Sequence, residues 1–241
     1  MNLKKILYTI IISFIFHITK IQSANIREAL KAIEKFENKK VLDFIAIVRN
    51  VDYIDPWQKR TLLGWAAFRG NLPLIKILIE EMNAVMEPKD KDGYTPLILA
   101  VKGGRLNVVA YLLTQNINLE AVDNFGWTAL MWASKENLEM VRLLVNNHAN
   151  VFAEDEIGNT PFSISQQFHK DAITNYLRDK LILLNQFTFE STNLPKELSD
   201  LTVDYYLFGK DLKKKLNNDQ KIILLKTYIS LIHRNFIIIK L

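Results

Sequence analysis

The fold of this chain is decided by residues 90–100, which read DKDGYTPLILA. Asp90 and Gly93 have the spacing of a tight turn, in which glycine supplies a backbone conformation that a side chain would oppose. Thr95 is a suitable N-cap, and Pro96 follows at the first helical position, where a missing N–H costs nothing. The stretch therefore predicts a turn that leads directly into a helix.

The same pattern occurs four times along the chain. Threonines at intervals of 34, 33 and 32 residues each precede an apolar helical stretch, and a second apolar stretch begins shortly afterwards. Three of them have an aspartate five residues earlier and a glycine two residues earlier. A fixed period of this length is the signature of a repeat architecture. The four threonines are Thr61, Thr95, Thr128 and Thr160.

The period, the turn and the two helical stretches together resemble the ankyrin repeat. The resemblance implies a β-turn and two antiparallel helices in each repeat of about 33 residues, hence an all-α ankyrin-repeat solenoid with a helical C-terminal extension. The array is predicted over 25–187, flanked by a leader at 1–24 and a C-terminal segment at 188–241. Within it we expect a degenerate cap at 25–55, repeats at 56–89, 90–122 and 123–154, and a degenerate repeat at 155–187.

The repeat register also assigns structural roles to single residues. Asn116 and His148 fall where the second helix usually ends in glycine, so both are expected in the left-handed conformation. Trp65 and Trp132 occupy the register of a buried leucine and are expected in the core. Ala100 and Ala133 are predicted at close contacts between helices. The layers between repeats are predicted to be filled by Leu112, Leu113, Leu143 and Leu144.

The first 24 residues resemble a secretory signal. Lys4 and Lys5 form a basic start, residues 6–18 carry no formal charge, and Ser23 and Ala24 offer small residues for cleavage. An uncleaved anchor remains the alternative, and basic residues on its entry side would also leave the body outside the cytoplasm. The protein is therefore expected to be exported, either periplasmic or secreted.

The 33-residue pattern ends at Phe187. Residues 188–193 are interpreted as a linker, followed by helical patterns at about 196–216 and 219–236 that would dock on the last repeat. An alternative is that Leu194-Pro195-Lys196-Glu197-Leu198 opens an F-box-like motif. The apolar run Phe236-Ile237-Ile238-Ile239 needs a cover or a partner.

The sequence offers no catalytic constellation. The absence of cysteine excludes disulfides, thiolate metal sites and cysteine nucleophiles. Outside the leader, His148, His169 and His233 lie in different elements, and no phosphate loop, hydrolase or metalloprotease motif occurs. We therefore predict a non-enzymatic protein without a cofactor or a metal.

Composition also argues against a nucleic-acid-binding surface. The formal charge of +5 includes three lysines in the leader, and the remaining residues have a net charge of +2. The mature chain is expected neither to insert into a membrane nor to bind nucleic acid. A monomer is the expected state of a capped array.

The resemblance implies an extended surface of turn tips and first helices that binds a protein partner. Large aromatic and arginine side chains are the residues that most often dominate such interfaces. The alternative for Phe125 and Trp127 is that they pack on the neighbouring turn. The predicted partner-binding residues are Arg60, Arg69, Lys91, Tyr94, Asn124, Phe125, Trp127 and Ile157.

Two functional classes remain open at this point. One is an exported protein-interaction module that acts at the cell envelope or on host proteins. The other is a periplasmic protective, inhibitory or chaperone-like partner of an envelope enzyme. The sequence does not distinguish between these two classes, because a fold alone does not define a partner.

Overall fold

The structure, a computed structural model, describes residues 11–13 and 25–192, and of residues 183–192 only the backbone. The described chain divides into two compact units, an N-terminal unit that ends at Asn124 and a C-terminal unit that begins at Phe125. The secondary structure of the described residues is helical apart from one isolated antiparallel bridge between Ile54 and Thr61. The all-α fold class is therefore confirmed.

The N-terminal unit contains three helix pairs. Helix α1 covers residues 25–34. The helices that follow it, up to the last one of the unit, are also short and are separated by tight turns. The remaining helices are α2 (Asn38–Val48), α3 (Leu62–Arg69), α4 (Leu72–Lys76, continued by a π-helical turn at Ile77–Glu81), α5 (Pro96–Lys102) and α6 (Leu106–Leu113). Helix α3 packs on α5 and α4, and α5 packs on α6.

The C-terminal unit repeats the same arrangement. The helices are α7 (Ala129–Ser134), α8 (Leu138–Asn146), α9 (Pro161–Gln167) and α10 (Asp171–Thr192). Helix α7 packs on α8 and on α9, and α10 packs on α9 and α8. Within each unit, the first helix of one repeat thus lies beside the first helix of the next, α3 beside α5 and α7 beside α9.

Each repeated threonine caps a first helix. The Thr61 hydroxyl accepts a hydrogen bond from the backbone N–H of Gly64 at 3.1 Å, and Thr95 accepts one from Ile98 at 3.3 Å. Thr128 and Thr160 cap α7 and α9 in the same way. The prediction that these threonines start the helices is confirmed, because each hydroxyl satisfies an N–H that the helix leaves without a partner.

The residues predicted to pack between helices fall into two groups. Ala100 and Ala133 are buried, as their role in close helix contacts requires. Leu112 and Leu144 are also buried, whereas Leu113 and Leu143 are half-buried. The second helices therefore bury a narrower stripe than the leucine pairs suggested, because adjacent residues on a helix diverge by about 100°.

The left-handed positions are where the register placed them. Asn116 has a φ of 36° and His148 a φ of 68°. The prediction of a left-handed conformation at both positions is therefore confirmed, and His148 is exposed at the end of its helix. Lys59 adopts a φ of 57° two residues before Thr61, the place that glycine occupies in the other three turns.

The linker interpretation of residues 188–193 is wrong for residues 188–192. Helix α10 continues to Thr192, because the chain contains no glycine or proline from Asp171 until Pro195. The predicted leader at 1–24, apart from the helical residues 11–13, and the C-terminal patterns from residue 193 onward lie outside the described residues. Across residues 11–13 and 25–192, no helix has both the length and the apolar character needed to span a membrane.

Asn71 ties three elements of the N-terminal unit together. Its side chain is fully buried, and its Oδ1 accepts from the N–H of Leu74 at the start of α4. Its Nδ2 donates to the Asn38 side chain at 2.8 Å and to the Ile33 carbonyl at 3.3 Å. Asn71 therefore joins the α1–α2 connection to the second repeat.

Replacing Asn71 tests this role. Asn71→Ala should lower the free energy of unfolding by about 2–4 kcal/mol, since it removes a cap and leaves buried groups without partners. The control is Asn137→Ala, which removes the cap bond to Met140 alone and should cost about 1 kcal/mol. Urea unfolding followed by circular dichroism measures both, and equal losses would contradict the linking role.

Candidate functional site: the turns and the first-helix face

Aspartate carboxylates organise the turns that precede α3, α5 and α9. In the second turn, Asp90 Oδ1 accepts hydrogen bonds from the N–H groups of Asp92 and Tyr94 at 3.0 and 2.9 Å. Gly93 has a φ of 82°, and a Cβ there would lie 2.7 Å from the backbone nitrogen of Asn124. Glycine is required at this position both by the backbone conformation and by the close approach of the next turn.

The turn of the C-terminal unit uses the same bonds. Asp155 Oδ1 accepts from the N–H groups of Ile157 and Asn159 at 3.0 and 2.7 Å. Its second oxygen, Oδ2, accepts from the indole N–H of Trp127 at 3.0 Å. The carboxylate thus both shapes its own turn and holds a side chain from the preceding one.

The first turn is organised by Asp55, which sequence reasoning missed. Asp55 lies six residues before Thr61 instead of five, so it falls outside the spacing that the other three turns share. Its Oδ1 accepts from the N–H groups of Trp57 and Gln58, and its Oδ2 accepts from the N–H of Arg60. Lys59, the residue before Arg60, has a positive φ, and this conformation closes the turn although it contains one residue more than the other turns.

The hydrogen bonds also set the protonation of Asp55. Burial alone would raise the pKa of its carboxyl, but the bonds from Gln58, the Trp65 indole and the Arg60 and Trp57 N–H groups together lower it. The turn therefore holds a carboxylate anion. Because the folded-state pKa is lowered, its stabilising contribution is present above the unfolded pKa and is lost as the pH falls through the folded value.

Arg60 has a structural role within the turns. Its Nη2 and Nε lie 2.7 and 3.1 Å from Asp90 Oδ2, and its guanidinium carbon lies 4.5 Å from the Trp65 ring centre. Only 8% of the residue is exposed. The sequence placed Arg60 on the outward surface, but its side chain folds back onto the next turn and joins two repeats.

Tyr94 is also more enclosed than the sequence suggested. It is 9% exposed, and the Lys102 Nζ lies 4.2 Å from the centre of its ring. Burial, together with the negative charges of Asp123, Asp92 and Asp90, raises the pKa of its hydroxyl. Tyr94 therefore presents little surface area to a partner, and its ring packs beneath the ammonium group of Lys102.

The other predicted residues of the N-terminal unit remain accessible. Arg69 is half-buried, pairs with Glu34 at 3.3 Å and lies over the Phe68 ring at 5.5 Å. Lys91 has an exposed side chain. Asn124 is exposed, yet its Nδ2 donates to the Lys91 carbonyl at 3.0 Å, so it also fixes one turn to the next.

In the C-terminal unit the predicted residues separate into two kinds. Phe125 and Ile157 are 62% and 65% exposed at the tips of their turns. Trp127 is half-buried, bonded to Asp155 and packed against Trp132 with ring centres 4.9 Å apart. The alternative interpretation, packing on the neighbouring turn, thus describes Trp127, whereas Phe125 has a largely exposed side chain.

The expectation that Trp65 and Trp132 lie in the core is wrong. Both are half-buried on the first-helix face. The Trp65 indole N–H donates to Asp55 Oδ2 at 2.9 Å. A tryptophan needs a partner for its N–H, and Asp55 supplies that partner at the turn, so the Trp65 ring stays beside the turn instead of entering the core.

The described part of the chain offers binding surface but no assembled reactive group. Within it, no cluster of three or more His, Asp or Glu side chains is arranged to hold a metal ion. The carboxylates of Asp55, Asp90 and Asp155 are occupied by hydrogen bonds of their own turns. The turns and first helices present cations, aromatic rings and the two exposed apolar residues Phe125 and Ile157 to the solvent.

Comparison with known proteins agrees with this architecture. Residues 30–123 match the sequence profile described as Ankyrin repeats (3 copies), and residues 125–156 match the profile described as Ankyrin repeat. Together the matches cover just over half of the chain. The chain belongs to the ankyrin repeat family, whose repeats imply a protein–protein interaction module and which is generally non-enzymatic.

Similar proteins come from distant organisms. The chain is 33% identical over 112 residues to the mouse Ankyrin repeat and SAM domain-containing protein 6, covering 46% of this chain and 13% of that protein. An ankyrin repeat protein of variola virus is 37% identical over 91 residues, 37% of this chain and 16% of the viral protein. A putative ankyrin repeat protein of Rickettsia bellii is 28% identical over 129 residues, 52% of this chain and 71% of that protein.

The region of similarity is therefore small in the longer relatives. The match spans about an eighth to a sixth of the length of the mouse and viral proteins. It covers the repeats, and a shared repeat identifies the fold without identifying a common partner.

The ion pair between Arg60 and Asp90 provides a test of how the turns are joined. Arg60→Ala should lower the free energy of unfolding by about 3 kcal/mol, because it leaves a buried carboxylate without its cation. Arg60→Lys should cost less, since an ammonium group can keep one bond to Asp90. Urea unfolding measures both, and a loss below about 0.5 kcal/mol in Arg60→Ala, the range of an ordinary surface substitution, would contradict the structural role.

Proposed function

We propose that this protein is an exported, non-enzymatic interaction module that binds a protein partner through its turn tips and first-helix faces. The observation that carries the proposal is the exposure of Phe125 and Ile157 at the tips of two successive turns of the C-terminal unit. Large apolar side chains at such positions are more costly in water than polar ones, and they are typical of binding surfaces.

The two tips belong to turns that stack closely. A Cβ added to Gly126, the residue after Phe125, would lie 3.3 Å from the backbone nitrogen of Glu156, the residue before Ile157. Trp127 and Trp132 pack against each other beside these turns. The tips are therefore mounted on rigid, hydrogen-bonded turns, and binding would require little ordering of the backbone.

The proposal of export rests on the sequence of the leader. A basic start at Lys4 and Lys5, an uncharged apolar stretch at 6–18 and small residues at Ser23 and Ala24 have the order of a secretory signal. The proposed location is the periplasm or the exterior. Anchoring by an uncleaved N-terminal helix is the second candidate, since the same apolar stretch would serve as its core.

The binding surface can be tested by removing both apolar tips. Phe125→Ala with Ile157→Ala should reduce capture of a native partner about tenfold or more, because each truncation removes a contact expected to be central. The measurement is chemical cross-linking of the full chain in its native cells, followed by mass spectrometry of cross-linked proteins. A partner enzyme that loses activity on binding would favour the inhibitory alternative.

The matched control truncates two exposed aliphatic residues away from the turn tips. Ile47 lies at the end of α2 and Val85 in the loop that follows α4 and its π-helical turn, and both are more than half exposed. Ile47→Ala with Val85→Ala should leave capture unchanged. Equal capture by both double variants, with the fold intact by circular dichroism, would contradict the proposed surface.

Export is tested by fractionating native cells and measuring the intact mass of the protein. A soluble extracytoplasmic species that begins at Ala24 or Asn25 is the expected result, because cleavage follows the small residues. A full-length species in the membrane fraction would support the anchor instead. A full-length species in the cytosol would overturn the proposal of export.

A further inference from the structure

The N-terminal unit is nearly neutral overall, but its positive and negative charges are unevenly distributed over its surface. Residues 25–124 contain fourteen lysines and arginines and thirteen aspartates and glutamates, a net charge of +1. The accessible charges around its turns and first helices are nevertheless mostly positive. We name this surface the basic face, and its cations are Arg27, Lys31, Lys59, Arg69, Lys91 and Lys102.

Contacts place these cations on one surface of the unit. The Arg27 guanidinium lies 5.2 Å from the Trp57 ring of the first turn, and Arg69 at the end of α3 reaches Glu34 of α1 at 3.3 Å. Residues 27, 31 and 34 lie at the spacings that share one face of a helix, so Lys31 belongs with them. The second turn joins the first by the bond from the Lys91 N–H to the Gln58 carbonyl at 2.9 Å.

The acidic groups near the basic face are largely committed to other partners. Asp55 accepts four hydrogen bonds from its own turn and from Trp65, and Asp90 binds Arg60 and two backbone N–H groups. Both are buried. Three acids remain accessible among these elements: the exposed Glu28 of α1, Glu34, which pairs with Arg69, and the half-buried Asp92. The face therefore carries an excess of positive charge.

Aromatic rings hold three of the cations in place. Arg27 lies over Trp57, Arg69 lies over Phe68 at 5.5 Å, and Lys102 lies over Tyr94 at 4.2 Å. An aromatic ring attracts a cation without neutralising it, because the ring has no net charge. A ligand would meet side chains that are already ordered, so less conformational entropy is lost on binding.

We infer that the basic face binds an acidic segment of a partner protein, one in which several aspartate or glutamate side chains can reach the cations together. The inference rests on the proposed function and adds the chemistry of the partner. Separated cations over rings suit individual carboxylates. A nucleic acid would instead favour a domain with a large positive net charge, and the net charge of this unit is +1.

The test uses the full chain and a fluorescein-labelled oligo-glutamate peptide, with fluorescence anisotropy as the readout. Binding is expected, and it should weaken steeply as salt is raised because the attraction is between exposed charges. Lys31→Gln, Lys91→Gln and Lys102→Gln combined should weaken binding about tenfold or more. An oligo-lysine peptide should not bind.

The matched control removes the same charge elsewhere in the unit. Lys39, Lys40 and Lys76 are exposed on the second helices α2 and α4, and their combined change to glutamine should leave the affinity within about twofold. If the first triple variant unfolds, Lys91→Glu alone replaces it, since Lys91 has an exposed side chain at a turn. Equal loss in the test and control variants would mean non-specific attraction and would overturn the inference.

Other ligands decide the remaining alternatives. Tighter binding of single-stranded oligo-thymidylate DNA, or of phosphatidylserine vesicles, than of oligo-glutamate would overturn the inference in favour of a nucleic acid or a membrane surface. Absence of oligo-glutamate binding would overturn it while the cross-linking of a protein partner still supported the proposed function. Absence of any cross-linked protein would remove the proposed function even if the peptide bound.

Discussion

The hydrogen bonds accepted by the turn aspartates are the constraint on which the rest of the structure depends. Asp55, Asp90 and Asp155 each accept at least two backbone N–H bonds from the residues that follow. These bonds fix the turn, and the turn delivers a threonine to the start of a first helix. The positions of α3, α5 and α9, and of the residues beside them, therefore depend on carboxylates whose hydrogen bonds are made within the protein.

The same carboxylates explain the unusual position of the tryptophans and of Arg60. The second oxygens of Asp55 and Asp155 accept from the indole N–H groups of Trp65 and Trp127, and Asp90 binds the Arg60 guanidinium. A side chain with both an apolar body and a donor is stable where a buried layer meets a fixed acceptor. The turn carboxylates thereby hold aromatic rings at the surface of the repeat, where cationic side chains pack over them.

Local chemistry made much of the fold predictable, and contacts between repeats made the rest unpredictable. Thr95 as a cap and His148 in a left-handed conformation depend on neighbours within a few residues, so the register was sufficient. Asp55 was hidden by one extra residue in its turn. The burial of Arg60 depends on Asp90, thirty residues later in the chain. A periodic pattern aligns such residues without showing which repeat holds their partner.

The candidate surface shows why composition was a poor guide to recognition. A net charge adds every ionised group with equal weight, whether it lies on the surface or inside a turn. In the N-terminal unit, aspartates that build the turns lower the net charge but take little part in the outward field, because hydrogen bonds and Arg60 already offset their charge. An aromatic ring does not offset the charge of a cation that lies over it, as Arg27 lies over Trp57. Recognition would therefore depend on the few charges that the fold leaves accessible, and these can have one sign in a nearly neutral domain.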